Sequence, residues 1–324
     1  MDIILSHAAC PDGFVAALIA KRRYPEAKAI FLNHGADHIE ALKECAGKDV
    51  LMLDFSLGTR EENDALAAST KSFRILDHHR TAEAVLKDAP YAIFDMKRSG
   101  AGLAWDYLFG EDAEDLMYRD GSNFQEPRPW WVNYTEARDL WRWDSLPNSR
   151  EICAYLGTLE FTKEAWDGLD KLGNEEIDSI EVAERFGKGA LAHINHYVRE
   201  VVKQAQTGFL RIQTGEQESE DGSIVLPIST DYRIAVLNVP YLNCSEVGNE
   251  LAKTHDISLT WFERGDGIIQ FSLRSIGDID VSVIAKSFGG GGHKNASGFQ
   301  LSVEEGRRAI DGILNRPSLS ILDV

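Results

Sequence analysis

The chain has 324 residues, 34 Lys and Arg against 52 Asp and Glu, a formal net charge of −18 and 44% hydrophobic residues. That apolar content supports packed cores and the length predicts two of them, while no run approaches the ~20 apolar residues that cross a bilayer. The acidity argues against a long duplex nucleic acid as partner, because sequence-independent affinity comes from Lys and Arg displacing phosphate counterions. In chain order, Ile3 to Ser6 reads as a strand, HAACPDG as a loop and Phe14 to Arg22 as a helix. Ala29 to Leu32 is a second strand, Ile39 to Cys45 a short helix and Asp49 to Leu53 a buried strand ending at Asp54. Glu61 to Ser69 follows as a helix, and Phe73 to Leu76 as a strand running into Asp77-His78-His79. Strands alternating with helices imply parallel βαβ units, whose functional groups gather beyond the carboxyl ends of the strands. His7, Asp12, Asp54 and Asp77 to His79 all fall at such ends.

From Arg98 the pattern turns helical. Ser99 can cap SGAGLAWDYLFG, EARDLWRWD carries a second aromatic-rich helix, and Glu111 to Pro129 between them reads as a surface insertion. Ile177 to Gln206 is a mostly helical connector, polar on one side, and GEQESEDGS an acidic loop. A second α/β pattern follows: a strand at Arg233 to Val239, a helix at Ser245 to Lys253, a hairpin of Ile257 to Glu263 with Ile268 to Arg274, then a helix at Val281 to Phe288 and the segment GGGGHKNASGF. The expected organisation is a domain over 1–185 with a parallel sheet, a helical linker over 186–210 and a smaller α/β domain over 211–324. The opening MDIILSHAACPDG has neither a basic n-region nor a continuous apolar h-region. Cys10, Cys45, Cys153 and Cys244 lie far apart without a CxxC pair. Both features predict a cytoplasmic protein.

Asp77-His78-His79 alone could be a polar strand edge. Joined with His7, Asp12 and Asp54, it delivers carboxylates and imidazoles from three strands to one edge, a mixed set that suits Mn²⁺ or Mg²⁺ better than Zn²⁺. Two such ions can share a carboxylate and clamp a phosphoryl oxygen during phosphoester hydrolysis. The run Gly289 to Gly292, with His293 and Lys294, would let backbone amides approach an anion, its alternative being a glycine turn after a helix. Arg274, at a strand end, is a second candidate for a substrate oxyanion, its alternative a surface salt bridge. The Trp residues, among them Trp105, Trp130, Trp131, Trp141 and Trp143, read as packing rather than base stacking. Cys45, Cys153 and Cys244 read as buried hydrophobes, and His193 and His196 with Glu200 as a solvated helix face.

This ordered set, an N-terminal His…AspGly loop, Asp54, the AspHisHis tripeptide and a late GGGGHKNASG, resembles the DHH phosphoesterases with a DHH-associated C-terminal domain, across nearly the whole chain. The nearest branch by motif holds nanoRNases or oligoribonucleases, cyclic-nucleotide phosphodiesterases and exopolyphosphatase-like proteins. The resemblance implies that His7 and Asp54 hold a first metal and that Asp12, Asp54, His78 and Asp139 hold a second, with Asp54 as the bridge and Asp144 the weaker alternative to Asp139. Asp77 would orient His78, and His79 would face the substrate phosphate. Gly290, Gly291, Gly292, His293, Lys294 and Arg274 would come from the smaller domain and close over the distal end of the substrate, in an active-site cleft between the two domains. The family usually places Asp-x-Asp in the first loop, where this chain has Cys10-Pro11-Asp12 and His7 one residue further away. A thiolate at Cys10 would favour a softer metal.

The resemblance thus implies a two-metal phosphodiesterase for short RNA or linear dinucleotides. Mn²⁺ is the expected metal, with Mg²⁺, Co²⁺ or Zn²⁺ as alternatives, and a homodimer is an admissible assembly. Exopolyphosphatase or cyclic-nucleotide hydrolysis is the alternative activity. A nucleotide-binding regulator with weak turnover is the alternative of another class, motivated by Cys10.

Overall fold

The computed structural model describes residues 1–33, 38–110, 128–173, 178–218 and 225–315. The chain divides into two compact units, residues 1–193 and 194–324. Among the described residues no helix is long and apolar enough to cross a membrane.

The first unit is built on an all-parallel sheet of β1 (Ile3–His7), β2 (Lys28–Leu32), β3 (Asp49–Leu53), β4 (Ser72–Asp77) and β5 (Ala92–Phe94), in the order β2-β1-β3-β4-β5. Eight helices accompany it among the described residues: α1 (Pro11–Arg23), α2 (Ile39–Lys43), α3 (Arg60–Ser69), α4 (Arg80–Leu86), α5 (Gly100–Phe109), α6 (Trp130–Asp139), α7 (Ser149–Leu156) and α8 (Lys163–Asp167). Alternate strand residues supply two cores. Ile4, Leu51, Leu53 and Leu76 join one with Val15 and Ile19 of α1, Trp105 of α5, Trp131 of α6 and Ile152 of α7. Ile3, Leu5, Val50, Met52 and Ile75 join the other with Leu66 of α3 and Leu86 of α4. Burial on both faces explains why these strands read as apolar runs rather than as alternating ones. Ser6, Leu53 and Leu76 lie level across β1, β3 and β4, so His7, Asp54 and Asp77 emerge side by side at the carboxyl edge.

The division between units falls within α9 (Ser179–Val201). The second unit contains β6 (Gln206–Glu218), β7 (Val225–Asn238), α10 (Cys244–Leu251), β8 (Ile257–Glu263), β9 (Ile268–Ser275), α11 (Val281–Ser287), β10 (Gly291–His293), β11 (Ala296–Ser302) and α12 (Val303–Leu314). Its mixed sheet has the order β10-β11-β9-β8-β7-β6, with β7 and β8 parallel and the other pairs antiparallel. Phe271, Leu273 and Phe299 pack with Ile284 of α11 and Ile310 of α12, and Ala235 and Leu237 pack with Val198 of α9 and Val247 of α10.

Three local expectations change. Residues 215–218 of the expected acidic loop belong to β6 and pair with β7, while residues 219–224 lie outside the described residues. The Gln and Glu content there masked a strand whose ladder to β7 supplies its stability. The helix expected over EARDLWRWD is α6, which begins at Trp130 and ends at Asp139. Arg142 N donates to Ala137 O at 2.7 Å, Trp141 N donates to Arg138 O at 3.1 Å, and Trp141 has φ +55°. These bonds close the helix with a left-handed cap filled by a tryptophan, so no glycine marked the stop. The glycine segment is also more regular than expected, since β10 and β11 pair as a hairpin. Residues 111–127 of the expected surface insertion lie outside the described residues.

Candidate metal centre

The carboxyl edge of the first sheet collects the charged residues. Asp54 follows β3 with φ +51°, a left-handed conformation that Asp tolerates better than most side chains, and its amide donates to Leu76 O at 2.9 Å. Asp12, in the first turn of α1, accepts from the Gly100 amide at 2.5 Å and the Ala101 amide at 3.1 Å, at the start of α5. Ser99 caps α5 by accepting from Gly102 N, as its sequence suggests. Buried Ser6 donates to Gly13 O at 2.7 Å, tying β1 to the start of α1. Asp139 closes α6.

These pieces converge on His78, whose Nε2 lies 3.1 Å from Asp54 Oδ1, 3.5 Å from Asp139 Oδ2 and 3.6 Å from Asp12 Oδ2. On the other side of the same carboxylate, Asp54 Oδ2 lies 3.5 Å from His7 Nδ1. Asp54 therefore turns one oxygen to each of two donor sets. Ligand atoms of Asp12, Asp54 and His78 lie within 4.8 Å of one another, and so do those of His7, Cys10 and Asp54. Asp144, the weaker alternative to Asp139, is exposed. Asp77 Oδ1 accepts from the His78 amide at 2.7 Å and the His79 amide at 3.1 Å, and lies 2.7 Å from His79 Nδ1. The orienting contact expected toward the ring of His78 is thus made with the ring of His79. A carboxylate at the strand end reaches the residue that starts the following helix more readily than its direct neighbour, whose side chain projects the other way.

The electrostatics match a cation site. Asp12, Asp54, Asp77 and His78 are each at most 2% exposed. Burial pushes the Asp12 carboxyl well above its usual range, and the Asp139 and Asp54 carboxylates push it further. Burial also raises Asp139. Against the same burial, His7, His78 and His79 hold Asp54 well below the carboxylate range. Burial alone would lower His78, but Asp139, Asp54 and Asp12 drive it well up. His79 rises for a similar reason, with Asp77 as the main partner that overcomes burial. Burial and the Asp54, Asp139 and Asp12 carboxylates push the Cys10 thiol well up. Even with all three imidazoles protonated, Asp12, Asp54, Asp77 and Asp139 outnumber them. Oδ2 of Asp54 and Oδ2 of Asp139 are buried without a hydrogen-bond partner among the described residues. Buried oxygens left without a donor are costly, and divalent cations satisfy both the charge and the lone pairs.

Two features of this unit are not evident from sequence. A Cβ at Gly100 would stand 2.4 Å from Asp54 Cβ and 2.9 Å from Asp12 Oδ2, so only glycine lets α5 approach both carboxylates. The signal was its place beside the Ser99 cap. Phe31 on β2 and Phe161 after α7 stack on Phe14 at 6.1 and 5.3 Å, and these two outer rings are 42% and 43% exposed. Phe14 is two residues from Asp12 and Phe31 pairs with Ser6, but their distance along the chain concealed the stack. Trp105 and Trp131 are core residues as expected, and Trp141 packs edge-on against Trp143.

The remaining candidates lie in the second unit. Gly289 has φ +75°, its amide donates to Lys286 O at 3.0 Å, and the Gly290 amide donates to Ala285 O at 2.8 Å. Those two amides cap α11, and Gly291, Gly292 and His293 form the edge strand β10. Lys294 pairs with Asp278 at 3.0 Å. Arg274 donates to Ser245 Oγ and Leu273 O, each at 2.8 Å. Cys45, Cys153 and Cys244 are buried, while His193, His196 and Glu200 are exposed on α9.

Comparison with known proteins adds the following. A DHHA1 domain profile matches residues 233–316. Uncharacterized protein R106 of Acanthamoeba polyphaga mimivirus is 30% identical, with 93% of this chain and 68% of that protein covered. Among solved structures, RecJ in complex with Mn²⁺ from Thermus thermophilus aligns with a TM-score of 0.49 and 16% identity over 99% of this chain and 54% of its own. PggH, a pGpG-specific phosphodiesterase from Vibrio cholerae, aligns with a TM-score of 0.39 and 11% identity over 97% and 98% of the respective chains.

Proposed function

The chain belongs to the DHH family of metal-dependent phosphoesterases, with a DHHA1 domain in its C-terminal part, and from that premise we propose that it is a phosphodiesterase acting on short RNA oligonucleotides or linear dinucleotides. The observation that carries the two-metal reading is Asp54, a buried carboxylate with one oxygen toward His78 and the other toward His7. Asp12, Asp54, His78 and Asp139 are the proposed ligands of one cation, with Mn²⁺ as the expected metal. His7 and Asp54 serve the other. When bound, the cations supply Lewis-acid charge to a phosphoryl oxygen and acidify water.

The chain's own residues prepare the phosphate site. Asp77 fixes the ring of His79 through Nδ1 and favours its protonated form. The protonated ring can then donate from Nε2 to a nonbridging oxygen as water adds to phosphorus and the P–O ester bond breaks, one proton of the water ending on the departing alcohol oxygen. The buried positions of Asp12, Asp54 and His78 remove competing water, so each charge acts at low effective dielectric. Arg274, preoriented by Ser245, and the segment Gly290 to Lys294 are proposed to bind a further part of the substrate.

The exposed Phe31 and Phe161 favour a substrate that carries bases, because aromatic faces stack on nucleobases of any sequence. Polyphosphate would leave them unused. All four cysteines are free, which supports a reducing, cytoplasmic setting. The test is product release in Mn²⁺ from a panel of a 5′-phosphorylated RNA dinucleotide, a longer RNA, linear and cyclic dinucleotides, cAMP and polyphosphate. Turnover of the short linear nucleotides is expected. Preference for polyphosphate or cAMP would overturn the substrate assignment, and binding without turnover would point to a regulator.

A further inference from the structure

We propose that the two cation positions are chemically unequal: His7, Cys10 and Asp54 form a thiophilic site for Zn²⁺, joined through Asp54 to an oxygen-rich Mn²⁺ site made by Asp12, His78 and Asp139. This inference rests on the metal-centre reading above.

Local backbone geometry brings the sulfur to the site. Ala9 has φ +53°, a left-handed turn in a residue that gains nothing from it by hydrogen bonding through its side chain. That turn folds the chain back so that Cys10, the residue preceding α1, faces the end of β1. The sulfur, a nitrogen of His7 and an oxygen of Asp54 then lie within 4.8 Å of one another. Asp54 is 1% exposed, and its Oδ2, on the His7 side, is buried without a hydrogen-bond partner among the described residues. The cluster is therefore a donor set rather than an isolated thiol.

The other cysteines differ. Cys45 donates to Ala41 O and Cys153 to Tyr134 O, each within a packed core. Cys10 is half-buried beside imidazole and carboxylate instead.

Ligand softness separates the two positions. A thiolate with imidazole and one carboxylate is a three-ligand set with room for a fourth ligand, the composition that suits catalytic zinc. Three carboxylates with one imidazole suit a harder ion such as Mn²⁺. Asp54 contributes one oxygen to each, so neither set needs the other's cation to be complete.

The experiment strips the full chain with a chelator, offers one equivalent of Zn²⁺ per chain with Mn²⁺ in large excess, removes free metal and counts bound metal. The wild type should retain about one of each per chain. With Co²⁺ in place of Zn²⁺, a near-ultraviolet sulfur-to-cobalt charge-transfer band should appear. Cys10→Ser should lose that band and the zinc while keeping manganese, which also shows that the variant is folded. Cys10→Asp should bind about two Mn²⁺ per chain and lose its zinc preference. Two Mn²⁺ in the wild type, absence of the sulfur band, or a band that survives Cys10→Ser would each overturn the inequality. These readouts are independent of turnover. Retention of no metal at all would instead bring down the metal-centre reading itself, whereas two equivalent metals with activity on the panel would sink this inference alone.

Discussion

Both units spend glycines at a crowded sheet edge, and they do so for different ends. In the first, Gly100 clears space between α5 and two buried carboxylates, so that charges of one sign can approach each other. In the second, a Cβ at Gly290 would stand 2.1 Å from Gly298 O, and one at Gly292 would stand 2.6 Å from Ala296 O. There the missing side chains let one strand lie on its neighbour. The polar groups differ in the same way. Asp12 and Asp139 are left short of compensating charge, whereas Lys294 has Asp278 and Arg274 has Ser245. The first edge is left short of positive charge, as a cation site requires, while Lys294 and Arg274 at the second already have partners within their own unit.

The largest effect should therefore fall on the residue that serves both donor sets. Asp54→Asn keeps the shape and removes the charge, and turnover should drop by roughly 10³-fold, the scale of losing one preorganised electrostatic group. Metal content should fall at both positions. An equally large loss from Arg274→Ala would erase the contrast between the units. Gly100→Ala comes next. The added methyl meets buried, hydrogen-bonded atoms, so stability should fall by about 1–3 kcal/mol, as for overpacking, and divalent-metal affinity should weaken with it. A denaturant melt with and without Mn²⁺ reads both.

Asp77→Asn should cost about 10–100-fold in turnover, as for a group that orients another across a hydrogen bond. Its sign with pH is definite. Burial lowers the affinity of His79 for a proton and Asp77 more than reverses this, so removing the charge should lower the pKa and move the alkaline limb of the rate profile to lower pH. In the metal-free protein, the raised His79 stabilises fully below its ordinary value of about 6.5 and loses this as pH rises through its folded value. The lowered Asp77 stabilises fully above its ordinary value of about 3.9 and loses this as pH falls through its folded value. Asp77→Asn should thus destabilise most between about pH 4 and 6.5 and least at alkaline pH.

The parallel sheet and its edge were legible because strand ends in βαβ units carry their chemistry in fixed places. Ser6, Leu53 and Leu76 are level, so the next residues in the sequence, His7, Asp54 and Asp77, are the ones that emerge together at the edge. Asp139 belongs to the same ordered motif set, although the aromatic pattern of EARDLWRWD puts its helix too far along the chain. What was hidden depends on tertiary contact. The Asp77–His79 pair turns on which side chain points toward the carboxylate, and the Phe14–Phe31–Phe161 stack joins residues up to 147 positions apart. β6 was hidden for another reason: its partner β7, not its own composition, makes it a strand.

The smallest effects test the second unit and α9, which spans the division. Arg274→Ala removes one charge that Ser245 and Leu273 hold in place, and a charge-assisted bond is worth roughly 1.5–3 kcal/mol. If that charge meets substrate in the ground state as well as during reaction, KM for a short RNA should rise by about tenfold while kcat changes little. Arg274→Lys should restore only part of the loss, because a point charge cannot keep the Ser245 contact and a second acceptor in the same planar arrangement. At the far end of the scale, His193→Ala and His196→Ala should leave turnover and metal content unchanged and stability within about 0.5 kcal/mol. Both side chains are exposed on α9, and surface side chains away from caps and cores rarely exceed that range. A loss of bound metal in either variant would mean that α9 presents a ligand set of its own, and the concentration of metal chemistry at the first sheet edge would no longer distinguish the two units.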